Sequence, residues 1–284
     1  MTTLTHPTTP APARESYVPA RSGLSFTGLI RSEWIKLWSV RSTAWSFAIL
    51  VLVALGMAAL TASGNRALFE NSGGAGTLGG LPAADQAGIL LESATIGVLF
   101  GQLIVAVLGV LVISGEYSTG MIKSTLTAAP RRLGALAAKA VVLLVCTFLV
   151  GLVSVMASLL VAVPMLSPLG LSISLFDPLI TLPLLGAALY LALVSVFALG
   201  IGAILRSGAG GIAAALGIIL LLPTVLALIG GQWAADASPY LISNAGTALF
   251  SPTGMEPWQG LLVVLGWIAV ALGLAATLLK RRDA

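Results

Sequence analysis

The sequence holds one histidine, His6, and one cysteine, Cys146. His6 lies in a polar N-terminal stretch, which leaves no histidine for a metal cluster or for a Ser-His or Cys-His pair at membrane depth. Cys146 lies inside an apolar run, cannot form an internal disulfide and says nothing about redox compartment. Charge is scarce: 8% of the 284 residues are Asp, Glu, Lys or Arg, against about 25% in soluble globular domains. A phosphate-binding loop is also missing. Gly115 and Gly120 have its glycine spacing, but Met121 stands where its lysine is required. The first 22 residues, rich in Thr, Pro, Ala and Ser, show no signal-peptide pattern and are expected to form a disordered tail.

Apolar residues make up 58% of the chain and its mean hydropathy is +1.05. That is more than one core can bury, so the surplus must face lipid. Six apolar runs each reach the roughly 20 residues that cross a bilayer: Thr43–Ser63, Ser93–Ser114, Leu133–Pro164, Leu179–Leu205, Gly208–Gly230 and Gln259–Leu279. The third is longer than needed and is expected to tilt or to begin outside the lipid. Arg206 and Ser207 alone separate the fourth from the fifth, and an Arg in mid-membrane is costly, so a tight turn is expected there. The expected fold is an all-α integral membrane protein. Pro183 and Pro223 are expected to kink or break their helices.

Charge sets the orientation. With the N-terminus inside, every Lys and Arg except Arg66 falls on the cytoplasmic side, while Glu70, Asp85, Glu92, Asp177, Asp236 and Glu256 fall outside. Both termini are therefore expected in the cytoplasm. The basic charge follows topology and calls for no nucleic acid partner. Of the two long outer segments, 64–92 reads as flexible. The other, 231–258, carries Trp233, Tyr240 and Trp258 for the outer interface, and its stretch 239–250 is short enough to dip back as a partial helix.

Residues 23–42, ahead of the first span, read as an interfacial amphipathic helix. At about 100° per residue, Phe26, Leu29, Ile30, Trp34, Leu37, Trp38 and Val40 share one face. Arg31, Ser32, Lys36 and Ser39 lie opposite, Ile35 is misplaced on the polar side, and Glu33 and Arg41 flank the apolar face. Such a helix binds membrane lipids and serves either as a simple anchor or as a working part. Polar groups inside the spans are few. Gln102 must face a helix or a cavity, as interhelical glue or as a substrate contact, and Thr95, Ser154, Ser158, Ser195 and Thr224 are lesser candidates. Gly97 with Gly101, and Ser154 with Ser158, offer small faces for close packing. Glu92, at the outer edge, is the nearest approach to an intramembrane carboxylate, which weighs against an ion-coupled carrier. No convergent set of His, Asp, Glu or Cys offers a catalytic or metal site.

Between the second and third spans runs Gly115-Glu-Tyr-Ser-Thr-Gly-Met-Ile-Lys-Ser-Thr-Leu-Thr-Ala-Ala-Pro-Arg-Arg132. Ser118 or Thr119 can cap a short helix that ends at Pro130. On it Ile122, Leu126 and Ala129 share a face, with Met121 and Thr125 beside them. A short amphipathic helix under two spans needs a cover, either the membrane surface or another protein.

This segment resembles the first cytoplasmic loop of ATP-binding-cassette (ABC) exporter permeases of the type-two class. The likeness extends to Arg31-Ser-Glu-Trp-Ile-Lys-Leu37, to the six spans and to Tyr240-Leu-Ile-Ser-Asn244 in the last outer loop. It implies a permease domain over 43–284 and a coupling helix that docks on a separate ATPase subunit. It implies that Glu116, Tyr117, Thr119, Gly120, Ile122 and Leu126 serve that coupling, with Glu116 in salt-bridge or hydrogen-bond contacts that join membrane domain and ATPase. It further implies that two permease chains pair, as a homodimer or a heterodimer. ATP and Mg would then act through the partner, and this chain would hold no cofactor and be no enzyme. Read from residues alone, Glu116 is equally a solvated charge at a helix end, Gly120 eases a turn, and Arg131 and Arg132 are positive-inside anchors. A secondary carrier and a non-transporting anchor or immunity protein are the competing readings.

Overall fold

The computed structural model describes residues 25–71, 78–120, 132–171, 173–174, 176–251 and 254–281. These residues are helical almost throughout. The tail 1–22, Ile122, Leu126 and most of the proposed coupling helix lie outside them.

Helix α1 (Phe26–Ser39) begins at Ser25, whose hydroxyl accepts from the Gly28 amide at 3.1 Å. This cap satisfies one of the N–H groups that the first turn leaves unpaired. The spans follow as α2 (Arg41–Asn71), α3 (Ala83–Ser118), α4 (Arg132–Leu166) and α5 (Pro178–Leu205). The fifth span is built from α6 (Gly208–Leu216), a π-helical turn (Gly217–Leu221) and α7 (Leu222–Ile229). Two short helices, α8 (Gln232–Ala237) and α9 (Ile242–Thr247), precede the last span, α10 (Pro257–Arg281). Among the described residues, six helices are long and apolar enough to cross a bilayer. The chain is a multi-pass membrane protein.

Burial ranks the spans. In α5, 78% of the most apolar window is buried, against 17% in the fifth span and 22% in the last. α5 is therefore the central post, with α3 and α4 packed on it. Small residues make that approach possible. A side chain on Gly109 of α3 would collide with the Ser195 carbonyl of α5, and one on Gly97 would meet the Ala54 backbone of α2 at 2.6 Å. Lipid supplies no hydrophobic drive between helices, so this close fit supplies the attraction.

The turn between α5 and α6 is as tight as its two residues require. Arg206 takes a left-handed conformation (φ 53°) that ends α5, and the Ser207 hydroxyl caps α6 by accepting from the Gly210 amide at 3.2 Å. Several expectations are corrected. Segment 64–92 is largely helical rather than flexible: α2 continues to Asn71 and α3 begins at Ala83. Its polar residues lie on helix extensions, where Arg66 pairs with Glu70 one turn on, at 2.7 Å. Gly115 to Ser118 close α3 rather than open a loop. Pro183 does not break α5, which runs on through it; it is the sixth residue of the helix, where a missing N–H costs one bond. Pro223 does coincide with an irregularity, sitting just past the π turn. The stretch 239–250 forms a short partial helix, with Ile242, Ser243, Ala245 and Gly246 buried against α5 and α10.

Candidate functional site

Four charged side chains from three helices meet at the basic end of the bundle. Glu33 and Lys36 come from α1, Glu116 from the last turn of α3 and Lys139 from the second turn of α4. Glu33, Glu116 and Lys139 are buried, with 5%, 7% and 5% of their surface exposed. The Lys139 ammonium donates to Glu33 and, at 2.9 Å, to Glu116 Oε1. The Lys36 ammonium donates to Glu33 Oε1 at 2.8 Å and to Glu116 Oε1 at 3.1 Å. Two carboxylates and two ammoniums thus form an alternating ring of formal charge zero. Each charge removed from water has an opposite charge in hydrogen-bond contact, the condition under which buried ions are tolerated.

Sequence spacing built the ring from separate local reasons. Glu33 and Lys36 lie one turn apart on α1, so they pair directly. Glu33 and Leu37 are the buried residues of α1, while Trp34, Ile35 and Trp38 are exposed. The tryptophans stay exposed, as an interfacial helix requires, while Glu33, expected only to flank the apolar face, turns inward to meet Lys139. Lys139 is likewise no solvated inside anchor. It lies within the apolar run of α4 and its ammonium is held inside the protein. Lys36 is half-buried. Burial pulls its pKa down, but the hydrogen bond and charge of Glu33, followed by the charge and hydrogen bond of Glu116, outweigh that, and the net direction is upward from the ordinary lysine value. The Lys36 ammonium therefore stays protonated through the neutral range.

Glu116 is not a solvated helix-end charge. Its Oε1 takes both lysines, while its buried Oε2 has no hydrogen-bond partner. Tyr117 faces another neighbour: the Arg206 guanidinium lies over its ring, 5.2 Å from the centroid, and links the end of α3 to the α5–α6 turn. The helix that Ser118 or Thr119 is expected to cap lies outside the described residues. The two hydroxyls donate back to the Gly115 carbonyl at 3.1 and 2.8 Å, so they satisfy the end of α3. Gly120 takes a left-handed φ of 71°, which turns the chain out of α3 and which a side chain would strain. Of the six residues assigned to coupling, Glu116, Tyr117, Thr119 and Gly120 therefore gather at one helix end.

Gln102, Ser154 and Ser158 do not join this site. Gln102 is buried in mid-span and accepts from the Tyr190 hydroxyl of α5 while donating to its own helix at Leu99. Ser154 donates to Val150 of its own helix at 2.7 Å, and the buried Ser158 hydroxyl has no hydrogen-bond partner. Tyr190→Phe is expected to lower stability by about 1–3 kcal/mol, because it leaves the Gln102 carbonyl unpaired in an apolar interior. Thermal unfolding in detergent checks this, and an unchanged midpoint would show that the pair adds nothing.

A cavity of about 480 Å³ opens beside the ring, lined by charged residues at one end and by Leu37, Val40, Leu108 and Leu111 along its walls. Among the described residues, no group of three His, Cys, Asp or Glu side chains is arranged to hold a metal ion. Comparison with protein-family models and with characterised proteins finds no match to the chain.

Proposed function

We propose that this chain is the membrane-spanning permease subunit of an ABC exporter, driven by a separate ATPase subunit that uses ATP and Mg. The supporting observation is the ion ring. It ties α1 to the two helices, α3 and α4, that flank segment 120–131, and that segment resembles the coupling helix of such permeases. A push on the segment would reach α3 and α4 together and, through Glu33 and Lys36, α1 as well. Such a joint is what a motor needs in order to bias tightly packed helices between two arrangements rather than bend one of them. Two permease chains, alike or different, would frame the path.

Replacing Ile122 and Leu126 together by Asp is expected to abolish co-purification of the ATPase while leaving membrane insertion intact. The two changes remove the apolar grip and sit in a short segment outside the spans. Normal co-purification of the double variant would remove the docking role, and a chain with which no ATPase ever travels would remove the reading itself.

One observation favours a second reading. An ion-coupled carrier needs buried ionisable groups, and Glu33, Glu116 and Lys139 are buried. They cluster at one end of the bundle rather than at mid-depth, where carriers hold their coupling ions. Transport abolished by vanadate and untouched by ionophores supports the exporter; the reverse supports the carrier.

A further inference from the structure

We propose that the cavity at the end of the bundle opposite the ion ring binds one apolar organic cation, an amine on an aromatic or aliphatic body. The cavity measures about 470 Å³ and opens between the start of α3, the start of α5 and the link from α9 to α10. That volume falls in the range of about 300–1,000 Å³ typical of small-molecule sites. Its walls are mainly apolar: Leu91 on α3, Leu179 and Pro183 on α5, and Leu249, Phe250 and Met255 on the link.

One carboxylate sets the charge of the occupant. Glu256 is the only charged residue in the lining, and it is exposed, so a ligand can reach it. Its backbone N–H bonds Gln259, but its carboxylate has no hydrogen-bond or ion partner among the described residues. The other acids of this end are spent or stand elsewhere. Glu70 holds Arg66 at 2.7 Å, Asp177 accepts from the Leu179 amide at 2.9 Å and Asp236 accepts from Gln232 at 3.0 Å, while Asp85 and Glu92 lie outside the lining. Pro183 adds a second acceptor. It has no N–H to give the Leu179 carbonyl one turn back, so that carbonyl loses its helical donor, and both residues line the cavity.

Three helices begin around the cavity, and a helix start favours negative charge by about half a unit. Each start already carries a full negative charge, Asp85 on α3, Asp177 on α5 and Glu256 before α10, so the balance stays negative. No Lys or Arg lines the cavity among the described residues. A phospholipid would bring a phosphate for which the lining holds no cation, and a small ammonium without an apolar body would leave the walls uncovered. Phe250 and Met255 suit an apolar cation, the one through its ring face and the other through an adaptable thioether. The proposal does not depend on the exporter reading, since it needs no ATPase and is tested by binding alone.

The test uses the full chain in phosphatidylcholine nanodiscs and tritiated propranolol, whose naphthyl ether carries a secondary ammonium. Binding is read by scintillation proximity and corrected for empty discs. Two competitors keep the ring and change the charge: the corresponding glycol, with a hydroxyl in place of the amine, and the anion naphthoxyacetate. One saturable site per chain is expected. The glycol should displace the probe about fivefold more weakly than unlabelled propranolol does, the upper end for an exposed ion pair, and the anion more weakly still. Glu256→Gln is expected to erase the fivefold difference. Gly88→Phe is expected to abolish saturable binding, because Gly88 lines the cavity and nothing lies within 4 Å of a Cβ added there. Size exclusion reports folding, and either variant suffices if the other fails to fold. Absence of a saturable site, the result of a cavity filled by lipid chains, would overturn the proposal. Equal displacement by the glycol, or binding unchanged in a folded variant, would overturn it as well.

Discussion

Replacing Lys139 by Met is expected to destabilise the protein by about 3–5 kcal/mol, enough to remove most of the folded chain from a detergent extract. The side chain of Met matches that of Lys in length and bulk, so no cavity is created. What is lost is the charge that faces both Glu33 and Glu116. Two carboxylates then share a buried site with Lys36 alone, and Lys36 bonds one oxygen of each. Each carboxylate must either stay ionised without enough compensation or take up a proton, and both routes reduce stability. The measurement is the monodisperse fraction on size exclusion, together with the thermal midpoint of what survives. A wild-type midpoint would mean that the ring is not closed in the membrane.

The same physics gives the experiment a second arm. Removing one member of a buried ionic group is harmful because it strands the others; removing the group is often neutral. Glu33→Leu, Glu116→Leu and Lys139→Met combined should therefore recover much of the stability lost by Lys139→Met alone, since the half-buried Lys36 can turn to water. If the proposed function holds, the triple variant folds yet transports poorly, because α1 is no longer tied to α3 and α4 by charge. This separates the ring's part in folding from its part in transmission.

The spans were legible in the sequence because bilayer thickness imposes a length that composition displays. Their true ends were less so. Arg66, Glu70 and Asp85 read as loop residues because charge ends a hydropathy run, whereas α2 and α3 carry them on exposed turns beyond the apolar window. The ring was missed for a related reason. Charge counting assigned Lys139 to the cytoplasmic side, and the same counting excluded buried ionisable groups. A signal was present. Lys139 stands between Ala137-Ala138 and Ala140-Val141, well inside an apolar run, and Glu116 is the one carboxylate between Ser93 and Pro164. A lysine so placed needs a partner at the same end of the bundle, and the candidates were few. Glu33 was harder to find, because periodicity alone cannot tell whether the apolar side of an interfacial helix faces protein or lipid. On α1 that side divides: Leu37 packs into the core while Trp34 and Trp38 are exposed.

Gly186→Leu is the second change expected to have a large effect, and it acts at the opposite end of the molecule. Helix α9 is held between α5 and α10 by three glycine contacts. A side chain on Gly186 would strike the Leu249 carbonyl, one on Gly260 the Ala245 carbonyl, and one on Gly246 the Tyr190 ring. At Gly186 and Gly260 the obstacle is backbone, which cannot rotate aside, so α9 must move. Overpacking costs about 1–3 kcal/mol and more where main chain shifts. Because α9 contributes few residues to the core, the expected result is local release rather than global unfolding. A thiol placed by Ser243→Cys in a Cys146→Ala background reports on it. Ser243 is buried in the closed arrangement, so its labelling by a water-soluble maleimide should be slow and should rise about tenfold or more with Gly186→Leu, each factor of ten corresponding to about 1.4 kcal/mol of opening. Gly266→Leu on α10 is the control, since nothing lies within 4 Å of a Cβ added there. If that control accelerates labelling as much as Gly186→Leu does, α9 is loosened by any disturbance of the bundle and the glycine seat does not hold it.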